Sequence, residues 1–302
     1  MDPLDIKILR KLRTGGSSEF DPFPTGLSSL RHVASELDID KDTVRNRITR
    51  LRGQGVFLGW SAMINPNLLS LKVQKVWLEF PDKESRDRGI KELSKTSNVR
   101  TIILYLGQTV SFVFAHEEPE ALNRYLQKFN DEVGRFTEIR RETISFPECT
   151  TNFSGKDRSI YSSIRDSFQR PQTDIAMETG VSLRTVKRRL GTLTDKNALL
   201  ILTSWDASKV EGVPIEIYFT ASSQKALKPL ISNISEKFDD SLLLIETYVG
   251  PSVNSLFICK NVAAAEDIFQ YVRSQDDITI ADFHLIRGAV RVRDKLRLNL
   301  KI

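Results

Sequence analysis

The feature that most constrains this chain is a pattern it carries twice. Between Ser35 and Gly55, Val44, Ile48 and Leu51 recur at i, i+4, i+7, which lays one apolar stripe along a helix. Asp40 precedes that helix as its expected N-cap. Asp42, Arg45, Asn46, Thr49 and Arg50 point away from the stripe. Upstream, Leu30 to Leu37 reads as a shorter helix, with Ile39 plugging the turn between the two. The spacing predicts a helix-turn-helix. From Thr173 to Leu193 the pattern returns: Val44, Ile48 and Leu51 map onto Val186, Leu190 and Leu193 at a constant step of 142. At the same step Ala34 maps onto Ala176, Thr43 onto Thr185 and Arg47 onto Arg189, while Ser182 replaces Asp40. A repeat this long implies a duplicated multi-domain unit rather than a solenoid.

The outer faces carry the chemistry. Arginine can fork onto guanine and asparagine onto adenine in the major groove, while other polar groups hold phosphates. The candidate DNA contacts are Lys41, Asp42, Thr43, Arg45, Asn46, Arg47, Thr49 and Arg50 in the first copy. In the second they are Ser182, Arg184, Thr185, Lys187, Arg188 and Arg189. Arg47 and Arg189 lie beside the apolar stripe, so an ion pair to a neighbouring helix acid, such as Glu36 or Glu178, competes with base contact.

Charge follows the same division. The net charge of +5 resolves into +2 over residues 1–71, zero over 72–153, +3 over 154–212 and zero over 213–302. The whole excess lies in the two helix-turn-helix segments, as expected of a protein that grips a polyanion there and nowhere else.

Along the chain, Asp2-Pro3 can start a first helix, with Leu4, Ile8, Leu9 and Leu12 on one side. Residues 14–26 form a loop by composition and an insertion relative to the second copy. After the recognition helix, Gly55 opens an apolar strand, either a wing or the start of a linker, and Asn65-Pro66 marks a break. The patterns that follow read strand 73–80, helix 83–95, strands 99–106 and 110–114, helix 118–133 and strand 136–146. The order βαββαβ predicts a split-βαβ, ferredoxin-like sheet with helices on one face. Residues 215–220, 242–249, 253–259 and 263–273 replay it, with Pro229 starting or kinking the intervening helix. The last stretch, Val290 to Ile302, alternates apolar with basic residues, as a strand with one buried and one basic face does.

The order Leu4-Asp5, Ile8-Leu9, Leu12, then Thr43-Val44, Arg47-Ile48, Leu51, then Gly55-Val56, Gly59-Trp60 and Asn65-Pro66 resembles the Lrp/AsnC (feast/famine) transcription regulators. Those are prokaryotic proteins with a winged helix-turn-helix followed by a small effector and oligomerisation (RAM) domain. The resemblance implies an α+β fold of two tandem units. Its expected parts are a winged helix-turn-helix at 1–61, a ferredoxin-like RAM domain at 72–147 and a linker at 148–155. A second winged helix-turn-helix follows at 156–206, and a second RAM domain, with the extra basic strand, at 213–302. The implied function is sequence-specific binding of double-stranded DNA, with self-association through the sheet domains. Since each chain carries two units, an intrachain pseudo-dimer reading an imperfect palindrome is expected. In the family, a small-molecule effector binds near the turn between the second and third strands of the sheet domain. The matching positions are Gly107, Gln108 and Thr109, and Gly250, Pro251 and Ser252, both lacking the family's usual Asp.

Other chemistry has little support in the residues. The three histidines, His32, His116 and His284, share no spacing suited to a metal or to a base–nucleophile pair, and no Gly-rich phosphate loop follows a strand. Cys149 and Cys259 have no CxxC partner and read as buried, reduced thiols of a reducing compartment. No apolar run reaches membrane-span length. The expectation is a cytoplasmic, nucleoid-associated protein with no resident cofactor, metal or membrane partner, and not an enzyme. Two alternatives remain: a sirohaem-decarboxylase-like enzyme, since those enzymes resemble the same unit, and a chromatin architectural protein binding DNA without sequence preference.

Overall fold

The computed structural model describes residues 1–14, 23–149 and 151–292. In chain order the elements are α1 (Pro3–Lys11), β1 (Arg13–Thr14), β2 (Gly26–Leu27), α2 (Leu30–Glu36), α3 (Lys41–Gly53) and β3 (Phe57–Ile64). There follow β4 (Lys72–Glu79), α4 (Lys83–Lys95), β5 (Val99–Tyr105), β6 (Thr109–His116), α5 (Ala121–Val133) and β7 (Thr137–Thr143). Then come α6 (Gly155–Ile164), α7 (Gln172–Thr179), α8 (Leu183–Asp195) and β8 (Leu199–Trp205). The chain continues with β9 (Val213–Ala221), α9 (Gln224–Lys237), β10 (Leu242–Thr247), β11 (Ser252–Cys259), α10 (Val262–Arg273) and β12 (Ile278–Arg291). The fold is mixed α+β with antiparallel sheets, and the order of three helices, one strand and βαββαβ occurs twice.

The two three-helix heads are built alike. Val44, Ile48 and Leu51 are buried in the first, and Val186 and Leu193 in the second, with Leu190 half-buried. Asp2 closes a capping box with Asp5 on α1, and Ser154 closes one with Asp157 on α6. The ends of the 14–26 insertion are drawn together by Arg13↔Leu27 and Thr14↔Gly26.

The strand after each recognition helix forms no wing within its own head. Instead β3 pairs antiparallel with β8, Trp60 facing Thr203 and Ala62 facing Ile201, so that one ribbon ties the two heads together. Each strand alone would leave a row of backbone groups unpaired, and the other head's strand supplies the missing partner.

The two βαββαβ segments do not keep separate sheets either. β12 pairs with β9 over Ile278–Leu285 and with β5 over Ile286–Arg291, joining eight strands in the order β10-β11-β9-β12-β5-β6-β4-β7. The two outer strands then meet: Ile144 bridges Tyr248, Ser145 N–H donates to Thr247 O and Val249 N–H to Thr143 O. The sheet thereby closes on itself. Helices α4 and α5 cover one outer face through Leu93, Leu122 and Phe129, and α9 and α10 cover another through Leu227, Ile234 and Ile268. The side chains of alternating sheet residues, among them Lys75, Trp77, Tyr105, Glu216 and Tyr218, are left facing inward and are buried.

Some local expectations change. Asp40 stands at the N-cap of α3 without a side-chain capping hydrogen bond, whereas Ser182 does accept from Thr185 N–H on α8. Pro229 neither starts α9 nor ends it, but lies inside the helix. Of the basic terminal stretch, Val290–Val292 belongs to or follows β12, and 293–302 lies outside the described residues.

Candidate nucleic-acid interface

Helices α3 and α8 turn the expected faces outward. Lys41, Asp42, Arg45, Asn46, Thr49 and Arg50 are exposed, with Thr43 half-buried. On α8, Ser182, Arg184, Lys187 and Arg188 are exposed and Thr185 is half-buried.

The two arginines beside the apolar stripe are engaged inside the heads. Arg47 donates to both carboxylate oxygens of Asp2, at 2.7 and 2.5 Å, and to buried Asp5 at 3.0 Å. Arg189 grips Asp157 with two hydrogen bonds of 2.6 and 2.5 Å. The acids thus come from the first helix of each head, not from Glu36 or Glu178. Glu36 lies 3.8 Å from His32, and Glu178 pairs with Arg170. Burial alone would raise the Asp157 carboxyl, but Arg189 and Ser154 outweigh it and hold it below the usual carboxylate value. The same balance, with Arg47 as the partner, lowers Asp2.

The heads differ in free charge. On α3, Arg45 is paired with Asp42 at 2.5 Å and Arg50 with Asp5 at 2.5 Å. Among the described residues, Arg184, Lys187 and Arg188 have no such partner. A polar cleft beside α8 is lined by Asn152, Ser154, Lys156, Thr185, Arg188 and Arg189. Pattern reading missed Lys156 and Asn152, because neither belongs to the repeated motif. Only the start of α6, folded against α8, brings them there.

The two turns matched to an effector site are shaped by glycine. Gly107 and Gly250 have φ of +88° and +120°, a region that favours glycine. Arg86 donates to Gly107 O at 2.5 Å, and Gln108 O accepts from Phe80 N–H. Thr109 and Ser252 start β6 and β11, and the Ser252 hydroxyl bonds Tyr218 and Thr220. Inside the closed sheet lies a polar cluster that sequence periodicity did not reveal. There Lys75 Nζ donates to both Glu216 carboxylate oxygens at 3.1 and 3.2 Å and lies 3.5 Å from Glu246. Tyr105 donates to Glu216, and Tyr248 to Glu246 at 2.6 Å. Burial raises both phenols well above the ordinary range, and the carboxylates they donate to raise them further. Lys75 is pushed down by burial but carried above its usual value by Glu216 and Glu246, so it stays charged.

The histidines stay apart. His116 contacts Gln74 and Glu118 O, His284 lies against the Tyr105 ring, and His32 is exposed on α2. Among the described residues no group of His, Cys, Asp and Glu could hold a metal ion, and no helix is long and apolar enough to cross a membrane.

No protein-family model matches the chain. A curated relative, the HTH-type transcriptional regulator Ptr1 of Methanocaldococcus jannaschii, is 37% identical over 73 residues, 24% of this chain. That match spans 43% of the relative's own length. Among solved structures, the siroheme decarboxylase NirDL in co-complex with an iron-uroporphyrin III analogue aligns over 96% of this chain and 94% of its own, with a TM-score of 0.56 and 14% identity. A second structure of NirDL gives a TM-score of 0.53 at 12% identity, over 94% and 91% of the two chains. At that identity the likeness is one of fold. It overturns the expectation that the chain is not an enzyme, because the whole architecture, both heads and the joined sheet, is one that an enzyme uses.

Proposed function

We propose that the chain is a tandem duplication of the Lrp/AsnC-type unit, a helix-turn-helix head followed by a ferredoxin-like RAM segment, and that it regulates transcription by binding duplex DNA. The observation that carries this reading is the pair of exposed, polar recognition faces, Arg45 and Asn46 on α3 and Arg184, Lys187 and Arg188 on α8. Each is held by the same internal arginine–aspartate clasp. The local likeness to a transcriptional regulator supports it. Arginine and asparagine on α3 suit base edges. The unpaired cations of α8, with Lys156 in the adjoining cleft, suit phosphates.

In this reading one chain supplies the two heads that a two-fold dimer would supply, and any self-association goes beyond that pair. Because the faces differ, the preferred site is an imperfect palindrome. Selection of bound duplexes from a random pool tests it: enrichment of two unequal half-sites is expected. Recovery of no preferred sequence favours an architectural, non-specific binder.

The second reading is a tetrapyrrole decarboxylase, favoured by the whole-chain likeness to NirDL. One titration separates the two. Saturable binding of an iron tetrapyrrole, followed by its absorbance and by loss of carboxyl groups on incubation, favours the enzyme; tight duplex binding with no tetrapyrrole uptake favours the regulator.

A further inference from the structure

The two ends of the closed sheet are not equally filled. At the end beneath β10, Arg10 donates to Asp239 O and Leu242 O at 2.7 and 2.8 Å, and Arg13 donates to Leu243 O at 2.8 Å. The first head is seated there, and one continuous apolar core runs from Ile8 and Leu9 through Trp60 to Tyr218 and Leu256. The second head keeps a core of its own, centred on Ile160, Ile175 and Val186. Between the second head and the sheet a cavity of about 200 Å³ remains. A dry cavity of roughly 150 Å³ already takes up benzene.

The walls of this cavity are apolar, from Met63, Leu69, Val113, Phe146 and Leu202, and Lys75 and Glu246 also line it. Arg100 and Tyr161 border it as well, and these two also line a wider cleft with Arg165 and Asp166, which marks the way in. At the floor, Glu246 keeps one carboxylate oxygen open. Lys75 directs its N–H groups to Glu216 and Glu246, so its three donors are already taken up. On Glu246, both Lys75 and Tyr248 reach the same oxygen, Oε1, and no donor among the described residues reaches Oε2. Lys75, Arg100 and Glu246 are the charged groups that line the cavity, so it is the open Glu246 oxygen, not a net charge, that favours an ammonium here.

From this geometry we infer that the cavity is a binding site for a small apolar amine, its body against Met63, Val113 and Leu202 and its ammonium donating to Glu246. A carboxylate of the same shape would meet Glu246 with no free donor on Lys75. A neutral isostere would fill the walls but leave the Glu246 oxygen unmet, and an unpaired buried acceptor weakens binding.

The test uses the full chain and three probes of matched size, 2-phenylethylamine, 3-phenylpropanoate and 2-phenylethanol, titrated by calorimetry and ligand-observed NMR. Saturable one-to-one binding of the amine is expected, at least tenfold tighter than that of the acid. Glu246→Gln should weaken the amine tenfold or more and leave the alcohol unchanged. Leu69→Trp, on the turn that forms one wall and away from the sheet, should block amine and alcohol alike, so the site is tested even if Glu246→Gln fails to fold. Equal or tighter binding of the acid, amine affinity indifferent to Leu69→Trp, or no saturable amine binding to the native chain would overturn the assignment.

Discussion

Lys75 and Glu216 occupy the same place in the two βαββαβ segments, and their charged groups meet 3.1 Å apart inside the closed sheet. A step of 141 carries Lys75 onto Glu216 and the flanking core residues Val76 and Leu78 onto Ile217 and Phe219. The topology agrees: β4 lies between β6 and β7, as β9 lies between β11 and β12. Arg140 and Asp282, opposite Trp77 and Tyr218 in those ladders, are a second equivalent pair joined as an ion pair. If two chains paired through identical segments, Lys75 would face Lys75 and Arg140 would face Arg140. Only pairing of the first segment with the second brings opposite charges together.

That relationship predicts the outcome of charge reversal. Lys75→Glu leaves three buried carboxylates without a cation, and removing one partner of a buried pair typically costs about 3–5 kcal/mol. The double variant Lys75→Glu/Glu216→Lys should recover a large part of that loss in urea unfolding, because Tyr105 and Tyr248 can donate to either arrangement of carboxylates. Failure of the double variant to improve on Lys75→Glu would show that the pair is not the determinant.

The clasps inside the heads predict a division between stability and affinity. Arg189→Ala should lower the unfolding midpoint, since it strands buried Asp157, and Arg47→Ala should lower it less, since Arg50 still reaches buried Asp5. Arg45→Ala/Asn46→Ala should leave the midpoint nearly unchanged and weaken a selected duplex by on the order of 2 kcal/mol. Thermal melts and duplex titrations on the same preparations decide it.

Acid should act on the second head through Asp157. Its carboxyl is held below the ordinary value of 3.8 by Arg189, so the folded state binds that proton less readily than the unfolded chain does. The stabilisation is therefore fully present above about pH 5 and is lost as pH falls through 3.8 toward the folded-state value. Asp157→Asn should lower stability at neutral pH and flatten its fall below pH 5, as measured by urea midpoints across that window.

Salt should report the unequal charge of the two heads. Each phosphate neutralised contributes about 0.9 to the slope of log affinity against log salt. Removing Lys187 and Arg188 together should reduce the slope by more than removing Arg45 and Arg50, which already face Asp42 and Asp5. Equal reductions would mean that those intrachain pairs open on DNA.

Thiol reactivity should be split as well. Burial pushes the Cys259 thiol up to about 12, so at pH 8 it should resist a disulfide reagent until the chain unfolds. Cys149 is half-buried and should be titrated in the native state.

The sequence by itself determined the heads and the order of elements. Period 3.6 is a local property, so Val44, Ile48, Leu51 and their counterparts were legible without any knowledge of what covers them. The strand runs and helix 83–95 were legible in the same way. Cap chemistry was half legible: Ser182 caps α8 but Asp40 bonds nothing across its turn, because the backbone angles that aim a short side chain are set by packing. Tertiary structure alone decided the pairings. Whether a strand such as β3 becomes a wing, a linker edge or half of a ribbon with β8 depends on which unpaired edge lies nearby, and hydrogen-bonding groups carry no address along the chain. The same holds for the arginine clasps, where Arg47 had several acids within reach in sequence and only the docking of α1 selected Asp2 and Asp5. The buried Lys75–Glu216–Glu246 cluster was the least legible of all. Its members lie on three strands up to 171 positions apart, and a lone lysine in an apolar strand reads as a solvated edge until the sheet closes over it.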